Sequence, residues 1–272
     1  MMNKYIFTCC NTFFLIFMLS CNTDDQKQDR TTSQSPQLQE ISATPSAQSI
    51  LAMAIEKTGM DLLKSASVSF DFRARHYTYT RKKGVYRYER IFKDEDGNAI
   101  TDVLDNTGFL RLTNGDTSAV EDKKVKAYAN SVNSVIYFAF LPFSLNDPAV
   151  ISDYLGKVKL KGKEYHKIRV TFKQENGGDD FQDVFVYWFD TENYRMDYLA
   201  YEYHTDEGGM RFREAFNPRE VNGVLFQDYK NYKPKEKGTV KLEAIDQAYE
   251  SGALELLSEI VLENVKMVVN QE

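Results

Sequence analysis

The chain has 272 residues and a formal net charge of -6. This acidic balance argues against nucleic acid as a partner, and against a general basic surface that would bind acidic lipid head groups. All three cysteines lie within residues 1–21, so the rest of the chain has no disulfide framework and depends on a hydrophobic core. The roughly 220 residues that follow the N-terminal region suffice for one domain with such a core.

The first 20 residues have the pattern of an export signal. Lys4 precedes a short apolar run from Tyr5 to Leu19, which is too short for a spanning helix of about 20 apolar residues. Met18-Leu19-Ser20-Cys21 resembles the box at which bacterial lipoprotein precursors are cleaved and acylated, although Met takes its first position. The sequence therefore predicts a signal peptide over residues 1–20 and a lipid anchor on Cys21. A plain secretory signal or an uncleaved anchor is the alternative.

Residues 21–48 are predicted to form a disordered tether. They are mostly polar and show no helix or strand period. A random coil of this length spans roughly 30 Å. We therefore expect an outer membrane lipoprotein of the cell envelope that faces the periplasm or the cell surface, with its folded domain over residues 49–272.

A helix is predicted from Ser49 to about Lys64, with Ser49 as the candidate N-cap. Alternation of apolar and polar residues then predicts a strand from Val68 to His76 and another from Gly84 to Phe92. Turn sequences at Gly97, Gly108 and Gly115 follow. This part of the chain is therefore expected to form an antiparallel meander.

The middle of the chain interrupts the strands. Lys123 to Tyr137 suits a helix, and Ser131 to Leu145 is dense in apolar residues that must be buried or bind a ligand. A short helix is predicted over Leu242 to Ser251, and the last segment, Leu254 to Val268, is favoured as a strand over a helix because of its valines. The strands predicted between these helices are Tyr154 to Lys161, Glu164 to Gln174, Phe181 to Asp190, Tyr194 to His204, Met210 to Phe216 and Val224 to Tyr232.

This order of elements resembles the LolA/LolB-like superfamily of periplasmic lipoprotein carriers, and so do the segments Tyr187-Trp188-Phe189-Asp190 and Val221-Asn222-Gly223-Val224. At closer range, Ser131 to Phe138 and Leu141 to Asp147 resemble an uncharacterised family of Gram-negative lipoproteins. The resemblance implies a mainly β (α+β) fold, a strongly curved antiparallel sheet or open half-barrel of about 10–11 strands with two or three helices covering the concave face. It also implies an apolar cavity for a lipid or acyl chain, and it identifies no catalytic residue.

The densest apolar tract, Val135 to Phe143, is a candidate wall or lid of such a cavity. The alternative is a core helix that fills a concave sheet, and the two interpretations are compatible. The residues predicted to line the cavity are Val135, Ile136, Phe138, Phe140, Leu141, Phe143, Trp188 and Phe212.

Charged side chains interrupt several predicted strands. Arg211 and Arg213 share one strand face, while Phe212 and Glu214 share the other. An outward orientation is favoured for such charges, because a one-sided antiparallel sheet presents alternate polar residues to water. If they point inward, they form an ion-pair network or a polar anchor for a ligand carboxylate or phosphate. The same two orientations are open for the charged residues of the earlier strands, Arg73, Arg75, Glu89 and Arg90.

The sequence predicts neither a metal site nor a cofactor. His76, His166 and His204 fall on three different strands without ligand spacing, and the carboxylates at Asp179-Asp180 and Asp206-Glu207 lie in Gly-rich turns. The leading hypothesis is a tethered lipoprotein that binds a hydrophobic ligand. The alternatives are a protein-interaction module of an envelope complex and an unrecognised hydrolase, which requires His, Glu and Arg side chains to converge in a cleft.

Overall fold

The computed structural model describes residues 45–175, 181–204 and 207–270. The predicted signal peptide, Cys21, most of the predicted tether, the Asp179-Asp180 pair and Asp206 lie outside the described residues. Within them, no helix is both long and apolar enough to cross a membrane.

The first helix, α1, spans Ala47–Lys57 and begins earlier than predicted. Its N-cap is Ser46, whose side chain accepts a hydrogen bond from the Ser49 backbone at 3.1 Å, so Ser49 lies inside the first turn. A short 3₁₀ helix, Met60–Ser65, replaces the predicted continuation to Lys64. Gly59 breaks the helix because its φ of 67° is left-handed, and a Cβ there would lie 1.8 Å from the Gly223 carbonyl oxygen.

The first sheet is an antiparallel meander. The predicted strand from Val68 to His76 is two strands, because the chain turns at Arg73, whose φ is 56°. The last described strand, β14 (Glu263–Val269), pairs with β1 (Ala66–Phe72) at one side of this sheet. The strands are β1 (Ala66–Phe72), β2 (Arg75–Lys82), β3 (Val85–Lys93), β4 (Ala99–Asp105), β5 (Gly108–Thr113), β6 (Asp116–Ser118) and β14 (Glu263–Val269).

Helix α2, Asp122–Ala139, and a 3₁₀ helix, Phe143–Asn146, lead from the first sheet to the second. The helix predicted over Lys123 to Tyr137 is therefore confirmed. A short α3, Ile245–Glu250, confirms the predicted late helix. The second sheet contains β7 (Val150–Leu160), β8 (Lys163–Phe172), β9 (Val184–Asp190), β10 (Met196–Tyr203), β11 (Gly209–Val221), β12 (Val224–Pro234) and β13 (Leu254–Ile260).

The two seven-stranded sheets have the orders β14-β1-β2-β3-β4-β5-β6 and β13-β12-β11-β10-β9-β8-β7. The predicted final segment, Leu254 to Val268, is therefore two strands in different sheets. Buried Asp228 stabilises this crossing, because its carboxylate accepts a hydrogen bond from the Leu262 backbone at 3.0 Å and pairs with Arg219 at 3.0 Å. The expected mainly β, antiparallel and unclosed architecture with helices is confirmed, with 14 described strands in place of about ten or eleven.

Three hydrophobic clusters stabilise the fold. The first packs α1 against one face of the second sheet, and the second packs the Met60–Ser65 turn and the end of α2 against β1 and β2. The third packs α3 against the opposite face of the second sheet. The buried members of these clusters, taken from the described residues, all lie between Ala47 and Met267, within the compact unit of residues 44–272.

Candidate functional site

A cavity of about 1030 Å³ lies between α2 and the two sheets. Small-molecule sites measure about 300–1,000 Å³, so this cavity is large enough for an alkyl chain. Aromatic side chains from α2 and from both sheets form much of its wall: Phe72, Tyr86, Tyr88, Tyr137, Phe138, Phe172, Phe185, Tyr201, Tyr203 and Tyr229.

A buried ionic cluster holds α2 over the first sheet. The fully buried carboxylate of Asp102 accepts hydrogen bonds from Arg90 at 2.5 Å and from Arg111 at 2.6 Å. Arg90 also donates to the Ser131 hydroxyl of α2 at 2.6 Å, and the Arg111 guanidinium lies 4.0 Å from the centre of the Tyr128 ring. The hydrogen bond that Arg111 donates to Asp102 raises the pKa of Arg111, so this guanidinium stays charged.

The other end of α2 contacts the second sheet. The hydroxyls of Tyr137 and Tyr187 are hydrogen-bonded at 3.0 Å, and burial raises the pKa of both. The Phe138 ring packs 5.2 Å from that of Tyr201. Because α2 touches both sheets, it forms one wall of the cavity.

The predicted apolar tract divides between the cavity and the core. Val135 and Phe138 line the main cavity. Ile136, Phe140 and Phe143 line an adjacent cavity of about 270 Å³, which shares Tyr137, among other residues, with the main one. Leu141 is buried in the first hydrophobic cluster instead. Some residues of the tract Val135 to Phe143 therefore form the wall of a cavity, and others fill the hydrophobic core.

The structure corrects the placement of Trp188 and Phe212. Both lie in the third cluster on the opposite face of the second sheet, where Trp188 Nε1 donates to Asp246 at 3.2 Å. Successive side chains of a strand point to opposite faces, so Tyr187 packs toward α2 while Trp188 packs toward α3. By the same alternation, Phe212 cannot share a face with Arg211 and Arg213.

Arg211 and Arg213 line the cavity, which corrects the favoured outward orientation. Arg213 Nη2 donates to the Tyr201 hydroxyl at 3.1 Å, and Arg211 Nη2 donates to the Tyr203 hydroxyl at 2.9 Å. The outward expectation assumed that only one face of this sheet is covered. α3 covers its other face, so the apolar residues between the arginines are buried there and the arginines face inward.

The other charged residues of the predicted strands divide between inside and outside. Arg90 is buried in the Asp102 cluster, and Arg73 lines the cavity. Glu89 lies on the outer face, where it pairs with Arg87 at 2.7 Å. The Arg75 guanidinium lies 5.2 Å from the centre of the Phe92 ring.

Several buried polar atoms at the cavity wall have no hydrogen-bond partner in the protein. They are Ser144 Oγ, Arg213 Nε, Gln227 Oε1 and Asn231 Oδ1. The Gln227 amide nitrogen donates to the Met196 carbonyl at 2.6 Å and to the Tyr229 hydroxyl at 2.8 Å, which leaves its oxygen as a fixed acceptor. A polar group bound in this cavity would complete the hydrogen bonds of these atoms.

The charge of Arg213 is incompletely compensated. No carboxylate of the described residues lies within 4.0 Å of its guanidinium, which lies instead over Phe138 at 4.0 Å from the ring centre. A cation–π contact contributes about 0.5–2 kcal/mol, whereas burying an ion costs several kcal/mol. The charged lining residues are four arginines and two aspartates, Arg73, Arg81, Arg211, Arg213, Asp147 and Asp183. The cavity is therefore a positive region in an acidic chain.

The histidines lie away from the cavity lining. His76 Nδ1 lies 2.6 Å from an Asp71 oxygen, and His166 Nδ1 lies 3.0 Å from the Tyr154 hydroxyl. Burial lowers the pKa of His166, while hydrogen bonds from Asn264 and His76 lower that of Asp71. His204 is exposed at the end of β10. Among the described residues, no group of three His, Cys, Asp or Glu side chains is placed to hold a metal ion, and the lining contains neither His nor Glu.

Sequence analysis missed the polar partners on the neighbouring strands. Tyr201 of β10 and Gln227, Tyr229 and Asn231 of β12 line the cavity together with Arg213 of β11. Strict alternation within β12 places its three residues on one face. This alternation is the sequence signal for Gln227, Tyr229 and Asn231. It identifies them as cavity residues only when the inner face of the sheet is known.

Comparisons with known proteins give similar folds at low identity. A DUF1329 family protein from Desulfovibrio piger is 10% identical, with a TM-score of 0.42 over 84% of this chain and 96% of that chain. A putative outer membrane lipoprotein-sorting protein domain from Vibrio parahaemolyticus is 11% identical, with a TM-score of 0.44 and coverages of 83% and 95%. A LolA superfamily protein from Nitrosomonas europaea is 9% identical, with a TM-score of 0.43 and coverages of 84% and 95%.

A search among curated proteins found no match to this chain. The model of a family of unknown function, DUF6503, matches residues 5–263. This agrees with the resemblance to an uncharacterised family. The chain belongs to the DUF6503 family.

Proposed function

We propose that this protein is a membrane-tethered envelope lipoprotein that binds a hydrophobic ligand, a lipid or a free acyl chain, in the cavity beneath α2. The observation that supports this most strongly is the cavity itself, with its volume of about 1030 Å³ and its aromatic wall. Binding sites for small apolar molecules are concave and lined mainly by apolar and aromatic side chains with a few polar groups. The wall described above supplies the aromatic side chains of such a site, together with a larger share of polar and charged groups that includes four arginines.

The hydrophobic effect supplies the affinity in this proposal. Each buried CH₂ group contributes about 0.8 kcal/mol, so the roughly fifteen CH₂ groups of a hexadecyl chain contribute about 12 kcal/mol. The loss of translational and rotational freedom offsets part of that gain. We therefore expect dissociation constants in the micromolar range for a single alkyl chain.

The proposed tether places this cavity near a bilayer. A chain from Cys21 to the start of the folded unit at Thr44 has a random-coil span of roughly 25–30 Å. Several acyl chains on Cys21 attach a protein lastingly where one chain does not. Metabolic labelling with a palmitate analogue tests the anchor, and the label is expected to disappear in Cys21→Ser.

The ligand-binding proposal is tested with residues 44–272, the compact unit that holds the three hydrophobic clusters. Gently purified protein is analysed by native mass spectrometry for bound lipid, and the delipidated protein is titrated with the neutral fluorescent probe N-phenyl-1-naphthylamine. Val135→Trp adds bulk at the cavity wall and is expected to weaken probe binding at least tenfold. Val268→Trp, at a position 63% exposed on β14, is the matched control and should leave binding unchanged. Equal effects of the two changes, or absence of probe binding, would contradict the proposal.

A protein-interaction module is the second candidate function. Large apolar side chains are exposed on β13 and β14, namely Leu256, Leu257, Val268 and Val269. Exposed apolar groups of this kind are typical of interaction surfaces when they are contiguous. Co-purification of one stoichiometric protein together with an empty cavity favours this function over ligand binding.

A further inference from the structure

We infer that the ligand carries an anionic group, a carboxylate or a phosphate, and that Arg213 binds this group inside the cavity. The inference rests on the proposed function, because it assigns head-group chemistry to a ligand of the same cavity. Its basis is a buried guanidinium that lines the cavity without an anionic partner among the described residues.

The environment of Arg213 leaves donors available. Its side chain belongs to a residue only 7% exposed, and Nη2 donates to the Tyr201 hydroxyl at 3.1 Å. Phe138 covers one face of the guanidinium, and Nε has no partner in the protein. A guanidinium carries five N–H donors in a planar fork that matches the two oxygens of a carboxylate or phosphate. The contacts with Tyr201 and Phe138 hold the fork in place, and an anion completes its hydrogen bonds.

Arg211 repeats this arrangement one step along the strand. It lies two residues from Arg213 on the same face of β11, and each arginine donates to the tyrosine diagonally opposite on β10. Arg211 also donates to the Met210 carbonyl at 2.8 Å and is half-buried. The more exposed Arg211 therefore adds positive potential beside Arg213, which concentrates anions at the site.

The test compares ligands with one alkyl chain and different head groups. Hexadecanoate, hexadecyl phosphate, methyl hexadecanoate and hexadecyltrimethylammonium are used below their micelle concentrations to displace N-phenyl-1-naphthylamine from residues 44–272. Both anions are expected to bind at least tenfold more tightly than the neutral ester, and the cation is expected to bind most weakly. The order of carboxylate and phosphate distinguishes a free acid from a phosphorylated lipid.

Arg213→Met distinguishes the contribution of the anionic head group to the affinity from that of the alkyl chain. Loss of a charge-assisted contact predicts a tenfold to hundredfold weaker affinity for the two anions, with the affinity for the methyl ester within about twofold of the native value. Arg87→Met is the control, because Arg87 lies on the outer face of β3 and pairs with Glu89. If Arg213→Met does not fold, Tyr201→Phe removes the hydroxyl that holds Nη2 and is expected to weaken only the anions, by about threefold.

The two proposals fail in different ways. Equal affinity for hexadecanoate and its methyl ester, or an unchanged preference for anions in both Arg213→Met and Tyr201→Phe, overturns the anion inference and leaves ligand binding intact. Failure of the probe and of every alkyl compound to bind overturns the proposed function itself.

Discussion

Asp102→Ala tests the cluster that holds α2 over the cavity. Asp102 is fully buried and accepts two hydrogen bonds from Arg90, at 3.0 and 2.5 Å, and two from Arg111, at 2.6 and 3.0 Å. Removing one partner of a buried ion pair costs about 3–5 kcal/mol, because a buried charge is left uncompensated. For a domain of this size, the expected fall in Tm is about 6–20 °C. The probe affinity should fall as well, since Arg90 also holds Ser131 of α2.

Urea unfolding measures this loss, with the emission of Trp188 as the signal. Trp188 is the only tryptophan and is fully buried under α3, so its environment changes on unfolding. Asp153→Ala is the matched control, because it removes the exposed pair with Arg169 at 2.9 Å. Exposed pairs contribute less than about 1 kcal/mol.

A third variant distinguishes the effect of the buried charges on stability from the effect of side-chain packing. Arg90→Met, Asp102→Leu and Arg111→Met together replace the ionic cluster by apolar side chains, and such replacements are often neutral or stabilising. We expect the free energy of unfolding of this triple variant to lie within about 1–2 kcal/mol of the native value. If Asp102→Ala costs no more than Asp153→Ala, the argument that this carboxylate compensates two buried arginines is refuted.

Two further predictions concern stability. Gly59→Ala should lower the free energy of unfolding, measured in urea, by more than about 3 kcal/mol, because it combines a left-handed φ with a clash against the Gly223 carbonyl. Gly84→Ala should cost only the conformational penalty of about 1–2 kcal/mol, because a Cβ at this position meets open space. Similar losses at the two positions would contradict the close approach. Burial lowers the pKa of the His166 imidazole in the folded protein. As the pH falls below about 6.5, His166 is therefore protonated in the unfolded chain before it is protonated in the folded protein, and the free energy of unfolding decreases. The urea midpoint should therefore fall less between pH 7.5 and pH 5.5 in His166→Gln than in the native protein, and an equal fall would show that His166 is not the group responsible.

Elements with local signals could be predicted from the order of residues alone. Alternation and glycine turns predicted the antiparallel meander, and the composition of Lys123 to Tyr137 predicted α2, which spans Asp122–Ala139. These features depend on backbone preferences and on the period of side chains along one element. Membership of Arg211 and Arg213 in one strand face, opposite Phe212, was determined in the same way.

The identity of the inner face depends instead on packing between elements that are distant in sequence. Period 2 assigns residues to two faces, but α3 buries the outer face of the second sheet, so Trp188 and Phe212 became core residues there and the arginines turned inward. The tertiary structure also divided Leu254 to Val268 into β13 and β14, because a strand's partner is chosen by contacts far away in sequence. The cavity likewise depends on long-range packing, because α2 contacts both sheets. The distance between the two sheets cannot be predicted from the pattern of residues within one element.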